Sequence, residues 1–278
     1  MIAQIVRGGT RHVVRVQVGD ISLSCLVAGS ESSRPVVFIH GFPFSKAMWG
    51  PQISALASGY RVVTYDIRGH GESDRGDGHY LIEFFVDDLI GLLDALHIDD
   101  PVLVGLSMGG YIVLRAVERS PERFSALVLC DTRSEADSNE GKLKRAAMIR
   151  LLKTEGIDAF AEQSIKTLFA PDSFTKNPSA VSFVRDTILA TTPETIAATH
   201  IALSARTDHT DSLSRITVPT LILVGEHDAV TPPSAALSMK ERIQHADVHI
   251  ISGAGHVSNL ENPQEFNRFL KAFLDKLM

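Results

Sequence analysis

Ser107, Asp228 and His256 are the residues of this 278-residue chain whose types and places could together do chemistry. A serine hydroxyl is a poor nucleophile at neutral pH, and it needs a base within hydrogen-bond reach and an acid that orients the base. Ser107 lies in VLVGLSMGGYIVL (102–114), where an apolar run stops at Gly105 and resumes after Gly110. A G-x-S-x-G match has little specificity alone; a glycine-rich strand-to-helix turn with an incidental serine, or a phosphate-binding loop, would look similar. A phosphate loop wants G-x-G-x-x-G or a lysine before Ser/Thr, and neither occurs here. Placed after a buried strand and opening a helix, the motif suits a nucleophile elbow, in which small residues two before and two after the serine let strand and helix pack closely around a strained turn.

The base and acid have their own candidates. LILVGEHDAVTPP puts Asp228 just past an apolar run at 220–225, and DVHIISGAGHVSNLENP puts His256 just past another at 247–252. GAGH follows a strand and precedes the final helix, so the His256 ring can overhang the carboxyl edge of a sheet. Asp131, ending the run at 126–131, is a second candidate acid, and Glu226 is expected to face solvent. Eleven histidines occur; His200, His209, His227 and His245 are expected to be surface or helix-capping residues.

Attack on a carbonyl also creates a negative oxygen, which fixed backbone N–H groups stabilise without reorganising. Met108 supplies one such amide at the start of a helix, where the helix dipole adds to it. The second is expected from HGFPFS (40–45), with the amide of Phe42 as the candidate and Gly41 letting the backbone pass close to the substrate. The side chains of Phe42, Trp49 and Met108 are expected to line the substrate pocket. VVTYDIRGHGESD (62–74) bunches Asp66, Arg68, His70 and Asp74. Its position after a different strand and its glycines predict a structural turn with internal ion pairing rather than chemistry.

These residues need a scaffold. HVVRVQV (12–18) and ISLSCLV (21–27), joined at Gly19-Asp20, predict an antiparallel hairpin. PVVFIH (35–40), RVVTYD (61–66), PVLVGL (101–106), ALVLCD (126–131), TLILVG (220–225) and DVHIIS (247–252) are short and apolar on both faces, as buried parallel strands are. Helical patterns fall between them at roughly 45–57, 82–96, 108–119, 234–243 and 263–277. The alternation predicts an α/β fold with a mostly parallel sheet of about eight strands and helices on both faces.

One interval departs from the alternation. Between Asp131 and Pro219 no strand-like run occurs, but KLKRAAMIRLLKTEG, IDAFAEQSIKTLFAP, SAVSFVRDTIL and PETIAATHIALSAR are helical, with Thr192-Pro193 as an N-cap and first-turn pair. This predicts an inserted helical subdomain of about four helices, reached through the polar DTRSEADSNEGK (131–142). The expected division is a core at 1–132 and 216–278 and a helical insert at 133–215.

Composition excludes other classes. The net charge is −6, and no Lys/Arg run occurs, so neither nucleic acid nor anionic lipid meets a broad attraction. The N-terminal MIAQIVRGGTRHVV lacks the apolar core of a secretory signal and no stretch approaches a membrane span, which predicts a cytoplasmic protein. Cys25 and Cys130 lie inside apolar runs and are expected to be small hydrophobes, not disulfide partners, ligands or nucleophiles.

HGFP (40–43), DIRGHGESD (66–74), GLSMGG (105–110), GEHDAVTPP (225–233) and GAGH (253–256), in that order, resemble the landmarks of the α/β-hydrolase superfamily across nearly the whole chain. Within it, the combination of HGFP with GLSMGG is similar to small carboxylesterases and 3-oxoadipate enol-lactonases. The resemblance implies Asp228 rather than Asp131 as the acid, a cap inserted after the sixth strand, no metal and no organic cofactor. Ser107 departs from haloalkane dehalogenases and epoxide hydrolases, which use aspartate there. Leu106 departs from the aromatic residue of cofactor-free haloperoxidases and perhydrolases and from the asparagine of C–C bond hydrolases. The activity implied is serine-dependent cleavage of small to medium carboxylic esters through an acyl-enzyme. Lactone or C–C bond hydrolysis by the same triad is the alternative, and a ligand receptor on a hydrolase fold is a reading from another class.

Overall fold

Short β-branched and aliphatic runs satisfy both faces of a covered sheet, and they form its centre. The computed structural model describes residues 4–6 and 9–277; the remaining positions of the expected core, 1–3, 7–8 and 278, lie outside the described residues. The strands are β1 (Gln4–Val6), β2 (Gly9–Val18), β3 (Ile21–Ala28), β4 (Pro35–Ile39), β5 (Arg61–Tyr65), β6 (Val102–Leu106), β7 (Ala126–Cys130), β8 (Thr220–Gly225) and β9 (Ala246–Ile251). The helices are α1 (Gly50–Leu56), α2 (Ile82–Ala95), α3 (Met108–Arg119), α4 (Asn139–Leu168), α5 (Ser173–Lys176), α6 (Pro178–Ala190), α7 (Pro193–Ala205), α8 (Pro233–Arg242), α9 (Ser258–Glu261) and α10 (Pro263–Asp275).

All eight expected strands join one sheet, and β1 adds a ninth, in the order β1-β2-β3-β5-β4-β6-β7-β8-β9. The first three are antiparallel, and β4 to β9 run parallel. Two apolar clusters cover the two sides, one containing Leu103, Ile112 and Leu129, the other Val104, Val128 and Phe266. The strand β9 differs from the expectation of burial on both faces: as the sheet's edge it leaves Asp247 and Ile250 exposed. The helix expected at 45–57 begins as a 3-10 turn, Lys46–Trp49, and becomes α-helical only at Gly50, with Pro51 in its first turn.

The parallel pairing puts chain ends in register. Ile39 pairs with Gly105, Leu106 with Cys130, and Gly225 with Ile251. The residues that follow β4, β6, β7, β8 and β9 therefore emerge at one carboxyl edge, where ligands bind in open α/β sheets.

Helices α4 to α7 lie in the chain between β7 and β8, which are neighbours in the sheet. The excursion leaves after Ala126–Cys130, the sixth of the eight expected strands and the seventh when β1 is counted. The boundary between the first two helical patterns falls at Gly156, whose φ of 84° and ψ of −179° break α4 into two arms. Thr192 caps α7 by accepting the Thr195 N–H, with Pro193 in the first turn. The buried face of α7 carries Ile196, Thr199, His200 and Leu203.

Candidate active site

Ser107 occupies the turn between β6 and α3 with φ 54° and ψ −113°, a conformation side-chain-bearing residues seldom adopt. Glycine is required on either side: a Cβ on Gly105 would overlap the Gly109 carbonyl, and one on Gly109 would overlap the Ile39 carbonyl. The turn is held by the Ser107 N–H donating to the Cys130 carbonyl at 2.9 Å and the Thr132 hydroxyl donating to the Ser107 carbonyl at 2.8 Å.

The structure brings Ser107, His256 and Asp228 together. His256 Nε2 lies 2.8 Å from Ser107 Oγ, and His256 Nδ1 lies 2.8 Å from Asp228 Oδ2. The other Asp228 oxygen accepts the N–H groups of Val230 and Thr231, and the Thr231 hydroxyl donates to Oδ2 at 2.7 Å. Burial alone would raise the Asp228 pKa, but the charge and hydrogen bond of His256 and the Thr231 donors outweigh it and hold the carboxyl below its usual range. An ionised Asp228 keeps the proton on His256 Nδ1 and leaves Nε2 free to accept from the serine.

Asp131 faces elsewhere. Its oxygens accept the Gly225 N–H at 2.8 Å and the Ser258 hydroxyl at 2.6 Å. Burial, with the negative charge of Asp228 nearby, raises its pKa well above the carboxylate range.

The amides of Met108 and Phe42 have no backbone acceptor among the described residues. The loop that carries Phe42 is shaped by His40, which sequence reasoning did not single out. Its Nε2 accepts the Ile67 N–H at 3.0 Å, so the proton sits on Nδ1 and is donated to the Gly41 carbonyl at 2.7 Å. Among the expected pocket side chains, Phe42 is partly buried. Trp49 instead is wholly buried and packs its ring 4.9 Å from Phe38 and 6.4 Å from Phe266, inside the core. The Met108 side chain is likewise wholly buried in the apolar cluster. A cleft of about 960 Å³ is lined by Asp228 together with Lys166, Lys176, Glu226 and His227 among others, and Ser107 does not line it.

Residues 34–263 match the family described as alpha/beta hydrolase fold. The chain belongs to that family. This α/β-hydrolase is 31% identical, over 92% of its length and 94% of the relative's, to 3-oxoadipate enol-lactonase 1 of Acinetobacter baylyi. It is 34% identical to a thermophilic esterase from Thermogutta terrifontis solved with malate bound, covering 96% of this chain and 99% of that one at a TM-score of 0.90. A third relative, the enol-lactonase from Burkholderia xenovorans, shares 30% identity over 94% of this chain and 100% of that one, with a TM-score of 0.87.

Several groups around the hydrolase site differ from the sequence expectation. The ion pairs of the 62–74 stretch are not internal: Asp66 binds Lys46 Nζ at 2.6 Å, Arg68 grips Asp88 through two bonds of 2.6 and 2.7 Å, and Asp74 meets Arg15 at 2.5 Å. Each ion-pair partner comes from another element, while the bonds within the turn are hydrogen bonds such as those from the Glu72 N–H and the Ser73 hydroxyl to Asp66. His227 and His245 are exposed as expected, and His209, though buried, stands at the N-cap position of the 3-10 turn Thr210–Arg215, whereas His200 is buried within α7. His209 Nδ1 lies 2.9 Å from a Glu118 oxygen; both ring nitrogens of His200 lack a partner among the described residues. Glu226 is exposed and accepts the Gly253 N–H. Both cysteines are buried, and burial pushes the Cys25 thiol up to about 12 and Cys130 well above its usual value, the state of unreactive thiols.

Glu261 is a further residue the sequence reading passed over. One oxygen accepts the Gly255 N–H at 2.8 Å and the Val257 N–H at 3.4 Å, on either side of His256. The other accepts the Ala170 N–H at 2.8 Å and the Ser173 hydroxyl at 2.6 Å. The His256 N–H donates to the Leu168 carbonyl at 2.8 Å. The loop bearing His256 is thus bonded to the segment that ends α4.

Among the described residues, no cluster of His, Cys, Asp and Glu is arranged to hold a metal, and no helix is long and apolar enough to cross a membrane.

Proposed function

We propose that this α/β-hydrolase cleaves small carboxylic esters through an acyl-enzyme formed on Ser107. The reading rests on one observation above all: the His256 ring spans the 2.8 Å contact to the Ser107 hydroxyl and the 2.8 Å contact to the Asp228 carboxylate. As Ser107 Oγ attacks the ester carbonyl, His256 Nε2 takes its proton, and Asp228 stabilises the imidazolium that results. The amides of Phe42 and Met108 donate to the developing oxyanion. His256 then gives its proton to the leaving alcohol, activates a water in the second half, and returns to its starting state as the acid departs. The helical segment 133–215 acts as a cap over this chemistry, and Phe42 lines the pocket beneath it.

Lactone hydrolysis is the second reading, favoured by the identity of 30–31% to two enol-lactonases. A lactone is an internal ester, so every step above applies with the alcohol still tethered to the acyl group. The test of both is Ser107→Ala: it should fold as the parent does and lose at least about 10³-fold of the hydrolysis of a p-nitrophenyl short-chain ester and of a simple lactone. Activity retained in that variant overturns the assignment, and the ratio of ester to lactone turnover in the parent decides between the readings.

A further inference from the structure

His200 lies on α7, is 6% exposed, and leaves both ring nitrogens without a hydrogen-bond partner among the described residues. Buried polar atoms are nearly always paired, because an unpaired one has given up its bonds to water for nothing. Its closest aromatic neighbours do not remove that cost. Phe42 and Phe160 meet the imidazole edge-on, with centroids 4.9 and 5.7 Å away, and offer at most a weak N–H···π contact. Burial keeps the ring neutral, with a pKa lowered to about 3, so it presents one N–H donor and one acceptor. The charges acting on it are Arg145 and Asp137, and Asp137 is already shared by Arg145 and Arg206. Two guanidiniums against one carboxylate leave a positive excess beside the ring.

The position of His200 relative to the chemistry follows from the sheet. The leaving alcohol must lie within reach of His256, which arrives from beyond β9 on one side of Ser107. Phe42 follows β4, on the other side of β6, and in the proposed reaction its amide holds the acyl carbonyl oxygen, so the acyl group is turned toward it. His200 stands against Phe42.

We propose that His200 is a specificity-determining residue whose ring N–H donates to an oxygen carried by the acyl chain, so that esters of oxo- or carboxy-substituted acids are preferred over plain fatty acyl esters. The inference rests on the ester-hydrolase reading above and extends it to the substrate class. A neutral donor beside a positive excess suits a keto oxygen or a carboxylate, and a plain alkyl chain leaves the donor unpaired.

The test compares three p-nitrophenyl esters of equal acyl length: valerate, levulinate and the half ester of glutarate. The parent should hydrolyse the levulinate or glutarate ester with a kcat/KM about tenfold or more above that of valerate, the worth of about one hydrogen bond. His200→Phe should abolish the preference while valerate turnover stays within about threefold, and His200→Gln, which keeps a donor, should retain part of it. Equal rates in the parent, or a preference that survives His200→Phe, overturn the proposal. Titration of free levulinate and glutarate into Ser107→Ala by calorimetry separates this from the ester reading. Binding weakened about tenfold by adding His200→Phe supports the subsite even if no ester is turned over, and no binding, or binding unaffected by the substitution, refutes it.

Discussion

Asp131 and Asp228 follow adjacent strands of one sheet, yet only Asp228 points a carboxylate at His256, while Asp131 turns to Gly225 and Ser258. Their ionisation separates them as well. Asp228 is held below its usual pKa by His256 and Thr231 against the pull of burial, and burial raises Asp131 well above its own. Asp131 makes no hydrogen bond to His256 among the described residues, so Asp131→Asn should change kcat by less than about tenfold. Asp228→Asn lets the imidazole take the wrong tautomer and should cost about 10³-fold or more in kcat. Steady-state kinetics on a short-chain ester measures both, and the opposite order would assign the acid to Asp131.

Glu261 accepts four donors, two from the His256 loop and two from the segment after α4. In Glu261→Gln the side-chain amide must face at least one backbone N–H that it cannot accept. The expected loss is about 1–3 kcal/mol of stability, or several degrees in Tm, together with a fall in kcat larger than any change in KM. Melting curves and a kcat against KM comparison check this; a fall in Tm with kcat unchanged would limit Glu261 to a structural part.

His200 and His70 are both held at a pKa of about 3, chiefly by burial, below their usual 6.5. Above pH 6.5 the ring is neutral in folded and unfolded chains alike, and its contribution to stability is fully present. As pH falls from 6.5 toward 3 the unfolded chain binds a proton that the folded one refuses, and stability is lost. His200→Phe removes one of these terms. The drop in unfolding free energy between pH 7.5 and pH 5 should shrink by about 1–2 kcal/mol in the variant, read from urea titrations at the two pH values.

The sheet was legible because its strands are short runs such as VVFI and ALVLC, whose β-branched and aliphatic residues suit burial on both faces. The break within α4 was legible too, since a glycine at 156 separates two amphipathic patterns and takes a positive φ there. The candidate site residues could be named from strand ends, but no spacing encodes a distance between Ser107 and a histidine 149 residues away. Long-range partners were illegible for the same reason: nothing near Asp66 or Arg68 in the chain announces Lys46 or Asp88. Glu261, just ahead of Asn262-Pro263, reads as an ordinary acid before a helix, and nothing near it in the chain announces its bonds to Ala170 and Ser173. His200 was misread because α7 is apolar around most of its circumference, so periodicity does not mark which side chains are covered.

The bond from His256 to Leu168, and those from Ala170 and Ser173 to Glu261, also set how this protein can diversify. A chimera that replaces everything from Arg133 to Arg215 with a relative's segment discards the groups that steady His256, and it must import matching ones or lose its rate. An exchange confined to the arm before Gly156 leaves those bonds intact. A directed library built in that arm, or around His200 on α7, therefore leaves the hold on the His256 loop in place.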